Sequence, residues 1–295
     1  MARVLLIMNP MAARTDPSVV GTVSTVLARE GWEVDVVGTD RPEHAADLAR
    51  MAVNDGIERI AVYGGDGTAM EAVRGAMGHD VLIGLIPGGT GNVLAGNLRL
   101  PRDPTKAALV VARGRPRAVD LGRLARPDGP RYFAVASGAG FDATVMAGTT
   151  AAAKRRWRTA AYLAHAWNSA RIVRNNQYRA TIDGTVYEGA AATILVANCG
   201  EFIPPYFRFR NGIAFDDGQL DVLMFRAEGL RQSLAVVWQI ARVGDDATGR
   251  IRHLRGREIQ IATEPVQPVQ FDGEQAGDTP FAVDVLPGAL RVLVP

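Results

Sequence analysis

Residues 64–71 read Gly-Gly-Asp-Gly-Thr-Ala-Met-Glu, and residues 87–92 read Pro-Gly-Gly-Thr-Gly-Asn. Each stretch follows a short apolar run, Ile60–Tyr63 in the first case and Val81–Ile86 in the second. Glycines between a strand end and a helix start leave backbone N–H groups unobstructed where the helix dipole favours anions, and that suits a phosphate. The hydroxyls of Thr68 and Thr90 can add donors. The Asp66 carboxylate is a hard oxygen ligand that could hold Mg2+ directly or through water. The competing explanation is conformational: Gly64, Gly65, Gly67 and Gly89 could be tight-turn residues needing positive φ. Two motifs on neighbouring strand ends, one carrying a carboxylate, favour the phosphate reading. Neither fits Gly-x-Gly-x-x-Gly or the Gly-x-x-x-x-Gly-Lys-[Ser/Thr] loop.

The elements that must position these motifs follow from the pattern of the first 115 residues. Val4–Met8 is an apolar, strand-like run; Asp16-Pro17 supplies a helix cap and first residue, and Gly31 closes that helix. Val34–Val37 reads as a strand, Pro42–Asn54 as a helix, and Ile60–Tyr63 as a strand feeding the first glycine motif and a helix to about Met77. Pro104–Ala112 is the last helix. Such alternation predicts a doubly wound, mainly parallel α/β sheet, with ligands at the carboxyl ends of its strands. Beyond about Asp120 the segments become short and often alternating, and Asp183-Gly184 between Ile182 and Thr185 is a two-residue hairpin signal. Two helices, roughly Thr150–Arg174 and Leu230–Arg242, interrupt them. This half is expected to be mostly antiparallel, a β-sandwich or open barrel. The boundaries are set at 1–120 and 121–295, with the extreme C-terminus packing back on the first domain.

Near the C-terminus, apolar Val269–Phe271 leads into Asp272-Gly273, a turn that exposes Glu274 at its end. Read alone, this is a solvated turn glutamate. Ala214-Phe215-Asp216-Asp217-Gly218-Gln219 likewise reads as a turn ahead of the strand Leu220–Phe225.

Taken in order, Gly64–Thr68, the 87–92 stretch and Asp272-Gly273-Glu274 resemble the diacylglycerol kinase catalytic-domain family, and within it the bacterial lipid kinases related to sphingosine and ceramide kinases. Asn9-Pro10 with Arg14 resembles the family's Asn-Pro-x-Ser-Gly-[Lys/Arg] opening, with Ala12-Ala13 in place of Ser-Gly. Thr39 precedes His44-Ala45 as in its Thr-x-x-x-Gly-His-Ala stretch, and Asp120-Leu121-Gly122, Gly138–Asp142 and Asp217–Asp221 follow in order. The resemblance implies an NAD-kinase- or phosphofructokinase-like first domain that uses ATP and Mg2+. It implies that Gly64–Thr68, Gly89 and Thr90 bind phosphates, with Asn9, Arg14 and Thr39 beside the nucleotide. Glu274 matches the family's general base, with Asp66 and Asp120 as the other catalytic carboxylates. Asp217 with the carbonyls of Ala214 and Gln219 matches a structural Mg2+ loop, whereas the residues alone also allow a plain hairpin turn. Two departures stand out. Met70 replaces an asparagine after the first motif, and Val93 replaces the aspartate that ends the second.

The acceptor implied is a diacylglycerol-like alcohol presented at a membrane surface. Between Lys154 and Arg179 seven Lys or Arg residues occur without an acidic one, interleaved with Trp157, Tyr162 and Trp167. On a helix over 154–174 they would face anionic head groups; the same residues also suit a solvated helix packed on the sheet. The chain has 295 residues, 47% hydrophobic and 22% charged, with a net charge of +2, so no global electrostatic case for nucleic acid exists. The single cysteine, Cys199, excludes an internal disulfide and suits a reducing cytoplasm. No run approaches the roughly 20 apolar residues of a membrane span. The expectation is a cytoplasmic protein with peripheral membrane contact, and a homodimer is compatible with it. Two other readings share the first motif: a kinase acting on NAD or a sugar phosphate, and a silent lipid- or nucleotide-binding protein. Glu274 argues against the silent protein.

Overall fold

The structure, a computed structural model, describes residues 2–126, 129–140, 174–203, 207–208, 212–241 and 249–295. It divides into two compact units. Met1–Leu121 and Pro287–Pro295 belong to the first; Gly122–Phe202 and Tyr206–Leu286 bound the second.

In the first unit, β1 (Arg3–Met8), α1 (Pro17–Arg29), β2 (Glu33–Gly38), α2 (His44–Asn54), β3 (Arg59–Gly64), α3 (Asp66–Ala76) and β4 (Leu82–Pro87) alternate; α4 (Val93–Asn97), α5 (Pro104–Arg113) and the start of β5 (Arg115–Ala125) follow. The strands are parallel, in the order β2-β1-β3-β4. Because the chain moves from β1 out to β2 and then crosses to β3, right-handed connections put α1 on one face and α2 and α3 on the other. The order also reverses between β1 and β3, which is where an open α/β sheet opens a crevice for ligands. Local chemistry fixes the helix starts: Asp16 accepts the Ser18 N–H and Asp103 the Lys106 N–H, each followed by proline at the first position. One face is filled by Val4, Leu6, Tyr63 and Ile86 from the strands, Val23 and Leu27 from α1, and Val111 from α5. On the other face α2 and α3 approach so closely that a Cβ on Gly75 would meet the backbone of Ala46.

The second unit contains β6 (Arg131–Phe133), β7 (Ala136–Gly140), β8 (Asn176–Ile182), β9 (Thr185–Ala191), β10 (Thr193–Ala197), β11 (Glu201–Ile203), β12 (Phe207–Arg208), β13 (Leu220–Phe225), α6 (Gly229–Ala241), β14 (Ile251–Gly256), β15 (Glu258–Glu264), β16 (Pro268–Phe271) and β17 (Glu274–Asp278). The long β18 (Phe281–Val294) begins here and ends in the first unit, where Val292 pairs with Ile83. A six-stranded antiparallel sheet runs β14-β13-β10-β7-β16-β17. A second ladder joins β9, β8, β15 and the first part of β18, all antiparallel. Val196, Val222, Val269 and Phe271 from the first sheet meet Ala180, Ile182, Ile261 and Phe281 from the second in one buried core. This is the antiparallel β-sandwich expected from the sequence.

The departures from the sequence reading are local. The strand β18 crosses Pro287-Gly288, which reads as a break, and β14 and β17 are too polar to show an apolar period. Glu201–Ile203, just ahead of Pro204-Pro205, forms the short β11. The predicted helix over Thr150–Arg174, and with it the cationic stretch 154–174, lies outside the described residues except for Arg174; so do Phe141 and Asp142.

Candidate active site

The carboxyl ends of the four parallel strands converge on the residues the sequence singled out. The Asn9 N–H donates to the Tyr63 carbonyl (3.0 Å), and the Thr39 N–H donates to the Met8 carbonyl (2.8 Å). The Gly88 N–H donates to the Gly64 carbonyl (2.7 Å), and the Arg14 N–H to the Gly88 carbonyl (2.8 Å). One network of backbone bonds therefore brings Asn9, Arg14, Thr39, the Gly64–Thr68 turn and the Gly88–Asn92 turn together at the switch point. Arg14 is exposed. Thr90 and Gly67 are exposed too, whereas Thr68 is buried. The Asn9 side-chain amide donates to Thr68 Oγ1 at 2.8 Å, which leaves the threonine its own proton to donate.

None of the motif glycines has a positive φ; in these two turns that conformation belongs to Asn92, at 49°. The conformational explanation for the glycines therefore fails, and close approach replaces it. A Cβ on Gly89 would lie 2.6 Å from the Gly65 Cα, so the two turns touch backbone to backbone. Asn92 braces the second turn by accepting the Gly89 N–H (2.9 Å) and donating to the Gly89 carbonyl (2.8 Å). At the first turn, Gly65 caps α3 and makes no side-chain cap bond, while the Asp66 carboxylate meets its own backbone N–H. A glycine-capped helix start flanked by a second glycine turn is an anion site in its chemistry.

Asp66 is the first residue of α3, and it faces the start of α4. Its Oδ1 accepts the Leu94 N–H at 3.2 Å. Burial pushes the Asp66 carboxyl above the ordinary aspartate range, and the backbone N–H groups of Val93, Leu94 and Asn92 pull the other way. Val93, where the resemblance leads one to expect aspartate, is half-buried beside it. Asp120, on β5, is buried, and its Oδ1 accepts the Gly288 N–H at 2.7 Å. That bond ties β5 to the C-terminal strand.

The remaining predicted residues lie in the second unit. Asp272 (φ 40°) and Gly273 (φ 89°) form the turn between β16 and β17, with Phe271 opposite Glu274. The Glu274 side chain is exposed, as expected. What the sequence did not reveal is how Asp272 is used: its carboxylate accepts the N–H groups of Ala134, Val135 and Ala136.

The Asp217 loop has a different arrangement from the one expected of a metal site. Asp217 Oδ1 accepts the Gln219 N–H at 3.1 Å, and its Oδ2 is paired with the Arg255 guanidinium. Arg255 also reaches Asp221 Oδ1 at 3.3 Å, where His253 Nε2 lies at 2.5 Å. With a guanidinium already neutralising Asp217, these residues do not fit a cation held by Asp217, Ala214 and Gln219. Among the described residues no group of three or more His, Cys, Asp or Glu side chains is placed to hold a metal ion, and no helix is long and apolar enough to cross a membrane.

Comparison with known proteins agrees with this geometry. Residues 3–124 match the model of the diacylglycerol kinase catalytic domain. Residues 135–294, more than half of the chain, match that of the YegS C-terminal NAD kinase beta sandwich-like domain. A diacylglycerol kinase of Mycobacterium tuberculosis (strain H37Rv) is 28% identical over 93% of this chain and 89% of its own. The solved structure of a diacylglycerol kinase from Bacillus anthracis strain Sterne superposes with a TM-score of 0.77 at 22% identity, over 99% of this chain and 97% of that one. At that identity the superposition speaks for the fold.

Proposed function

The chain belongs to the diacylglycerol kinase catalytic-domain family and is a lipid kinase of that type, and from that premise we propose that it transfers the γ-phosphate of ATP, bound as its Mg2+ complex, to the hydroxyl of a diacylglycerol-like lipid. The observation that carries the nucleotide half is the glycine-capped start of α3 set against the second glycine turn at the switch point. Backbone N–H groups of Gly64–Thr68, with the Thr68 and Thr90 hydroxyls, hold phosphate oxygens; Gly89 keeps the second turn close. Arg14 adds a positive charge, Asn9 orients Thr68, and Thr39 borders the site on the β2 side. Asp66 holds the start of α4 in place and so fixes the turn that carries Thr90. Mg2+ supplied with the nucleotide would neutralise phosphate charge.

Glu274 acts on the acceptor. Its exposed carboxylate takes the hydroxyl proton as the lipid oxygen bonds to the γ-phosphorus; the bond to the bridging oxygen breaks and ADP leaves. The buried Asp120 supports catalysis by fixing the chain at Gly288. The lipid is met at a membrane surface from the cytoplasmic side, with 154–174 as the contact the sequence offers.

The test is a transfer assay. Purified protein is incubated with radiolabelled MgATP and, in separate reactions, diacylglycerol micelles, sphingosine and NAD, beside Glu274→Ala. Label in the organic phase with diacylglycerol, absent from the variant, is the expected result. Label in NAD, or nucleotide binding with no transfer to any acceptor, would overturn the proposal.

A further inference from the structure

The turn that carries Glu274 has a feature that its motif does not require. The Asp272 carboxylate accepts three consecutive backbone N–H groups: Ala134 at 2.8 Å on Oδ2, and Val135 and Ala136 at 3.0 Å each on Oδ1. The same residue's N–H donates to the Ala136 carbonyl at 2.9 Å. Bonds from N–H groups to a carboxylate are charge-assisted and roughly twice as strong as neutral ones. The segment they hold is itself pinned from the far side: Asn198 donates its N–H to the Val135 carbonyl (2.8 Å) and its side-chain amide to the Ala134 carbonyl (2.8 Å). Asn198 is fully buried. The start of the turn is tied down as well, because the Gly273 N–H donates to Gln270 Oε1 (3.0 Å) and Ser137 Oγ donates to the Gln270 carbonyl (2.8 Å).

This network matters because of where Glu274 sits. It is the first residue of β17, the last strand of the six-stranded sheet, and β17 is short, polar and exposed. Such an edge strand is held by its ladder to β16, by the Arg126 bond to the Asp278 carbonyl (3.3 Å), by Ala276 packed on the core, and at its start by whatever fixes the turn. A turn with positive φ at both central residues sets the direction in which Glu274 leaves the strand, and Asp272 holds that turn against β6 and β7. We infer that Asp272 is a positioning residue for phosphoryl transfer: its carboxylate, clamped across Ala134–Ala136, fixes the Glu274 carboxylate at the angle and depth that the acceptor hydroxyl requires. The inference rests on Glu274 being the base. It also assigns the two acids of the turn separate tasks, since a carboxylate that accepts three N–H bonds is committed and one that is exposed is available.

The experiment compares Asp272→Asn, Glu274→Gln and the double variant, measuring kcat, KM for MgATP, and amide hydrogen exchange in the full chain. In Asp272→Asn, the amide nitrogen cannot accept the N–H bonds that one carboxylate oxygen takes. A displaced reactive group costs about 10²-fold in rate, so kcat should fall by that order while KM for MgATP stays within about twofold. Exchange should rise at 134–136 and 273–278 and stay unchanged in the rest of the sandwich. The double variant should be no slower than Glu274→Gln alone, because a residue that acts through Glu274 has nothing left to position. Wild-type kcat in Asp272→Asn, with Glu274→Gln inactive, would overturn the positioning role and leave the base intact. An additive loss in the double variant, or exchange raised throughout the sandwich, would show a merely structural role and overturn it too. Wild-type kcat in Glu274→Gln would remove the base reading itself.

Discussion

The glycine turns of the first unit and the Asp272-Gly273-Glu274 turn of the second both present polar groups at strand ends, by opposite means. In the first, the working groups are backbone N–H donors, and the side chains are absent so that Gly65 and Gly89 can touch. In the second, the working group is one side chain, and a neighbouring side chain is spent on holding the backbone still. The difference follows from the ligand each meets. A phosphate is met by many weak donors that a rigid loop supplies at no conformational cost, whereas a proton goes to a single atom that must be aimed.

That contrast can be broken at several points, and the largest effect belongs to the aimed group. Glu274→Gln should lower kcat by about 10²- to 10⁴-fold, the usual worth of a general base, with MgATP affinity unchanged by calorimetry. Next is the contact between the turns. A methyl group on residue 89 has no room, so Gly89→Ala should force the loops apart at a cost of about 1–3 kcal/mol. Urea unfolding should register that loss, and calorimetry should show weakened nucleotide binding. Asn9→Ala removes one hydrogen bond to Thr68 and should cost about 1 kcal/mol of stability, with a modest rise in KM for MgATP. Smaller still is Asp217→Asn: the ion pair with Arg255 is partly exposed, and its loss should cost about 0–1 kcal/mol. Because the Arg255 guanidinium already faces Asp217, added Mg2+ should leave the wild-type Tm unmoved in the absence of nucleotide.

Asp66 gives the first turn a pH signature. Its carboxyl is held above the ordinary aspartate range by burial, so the folded chain keeps that proton more tightly than the unfolded chain does. Its contribution to stability is therefore full below the ordinary aspartate pKa and is lost as pH rises through the raised value. Asp66→Asn cannot ionise. Its stability relative to wild type should increase as pH climbs through that window, as read by denaturant midpoints at a series of pH values.

The two regions also differ in how far the sequence disclosed them. The parallel domain was legible because its signals are local: an Asp-Pro helix start at 16–17, apolar runs of strand length, and glycines at the strand ends. The reason for those glycines was not legible, since φ and interloop distance depend on β3 and β4 being neighbours. In the sandwich the Asp183-Gly184 hairpin was plain, and its strands do pair from Ile182 and Thr185 outwards. The strand β18 was hidden because Pro287-Gly288 imitates a turn, and the edge strands β14 and β17 because their polar residues give no clear apolar period. Asp272 was visible only as part of a turn. Its bonds reach back across more than 130 positions to Ala134–Ala136, and no spacing rule connects such residues. The Asp217–Arg255 pair was hidden for the same reason: Asp217 lies in a loop, and the arginine that pairs with it lies on β14.

The division of labour between the two turns is tested most directly by measuring MgATP binding and phosphate transfer to diacylglycerol side by side in wild type and Glu274→Gln. The account predicts equal MgATP affinities and a transfer rate at least about 10²-fold lower in the variant. Wild-type transfer by Glu274→Gln, or loss of MgATP binding in step with loss of transfer, would contradict it.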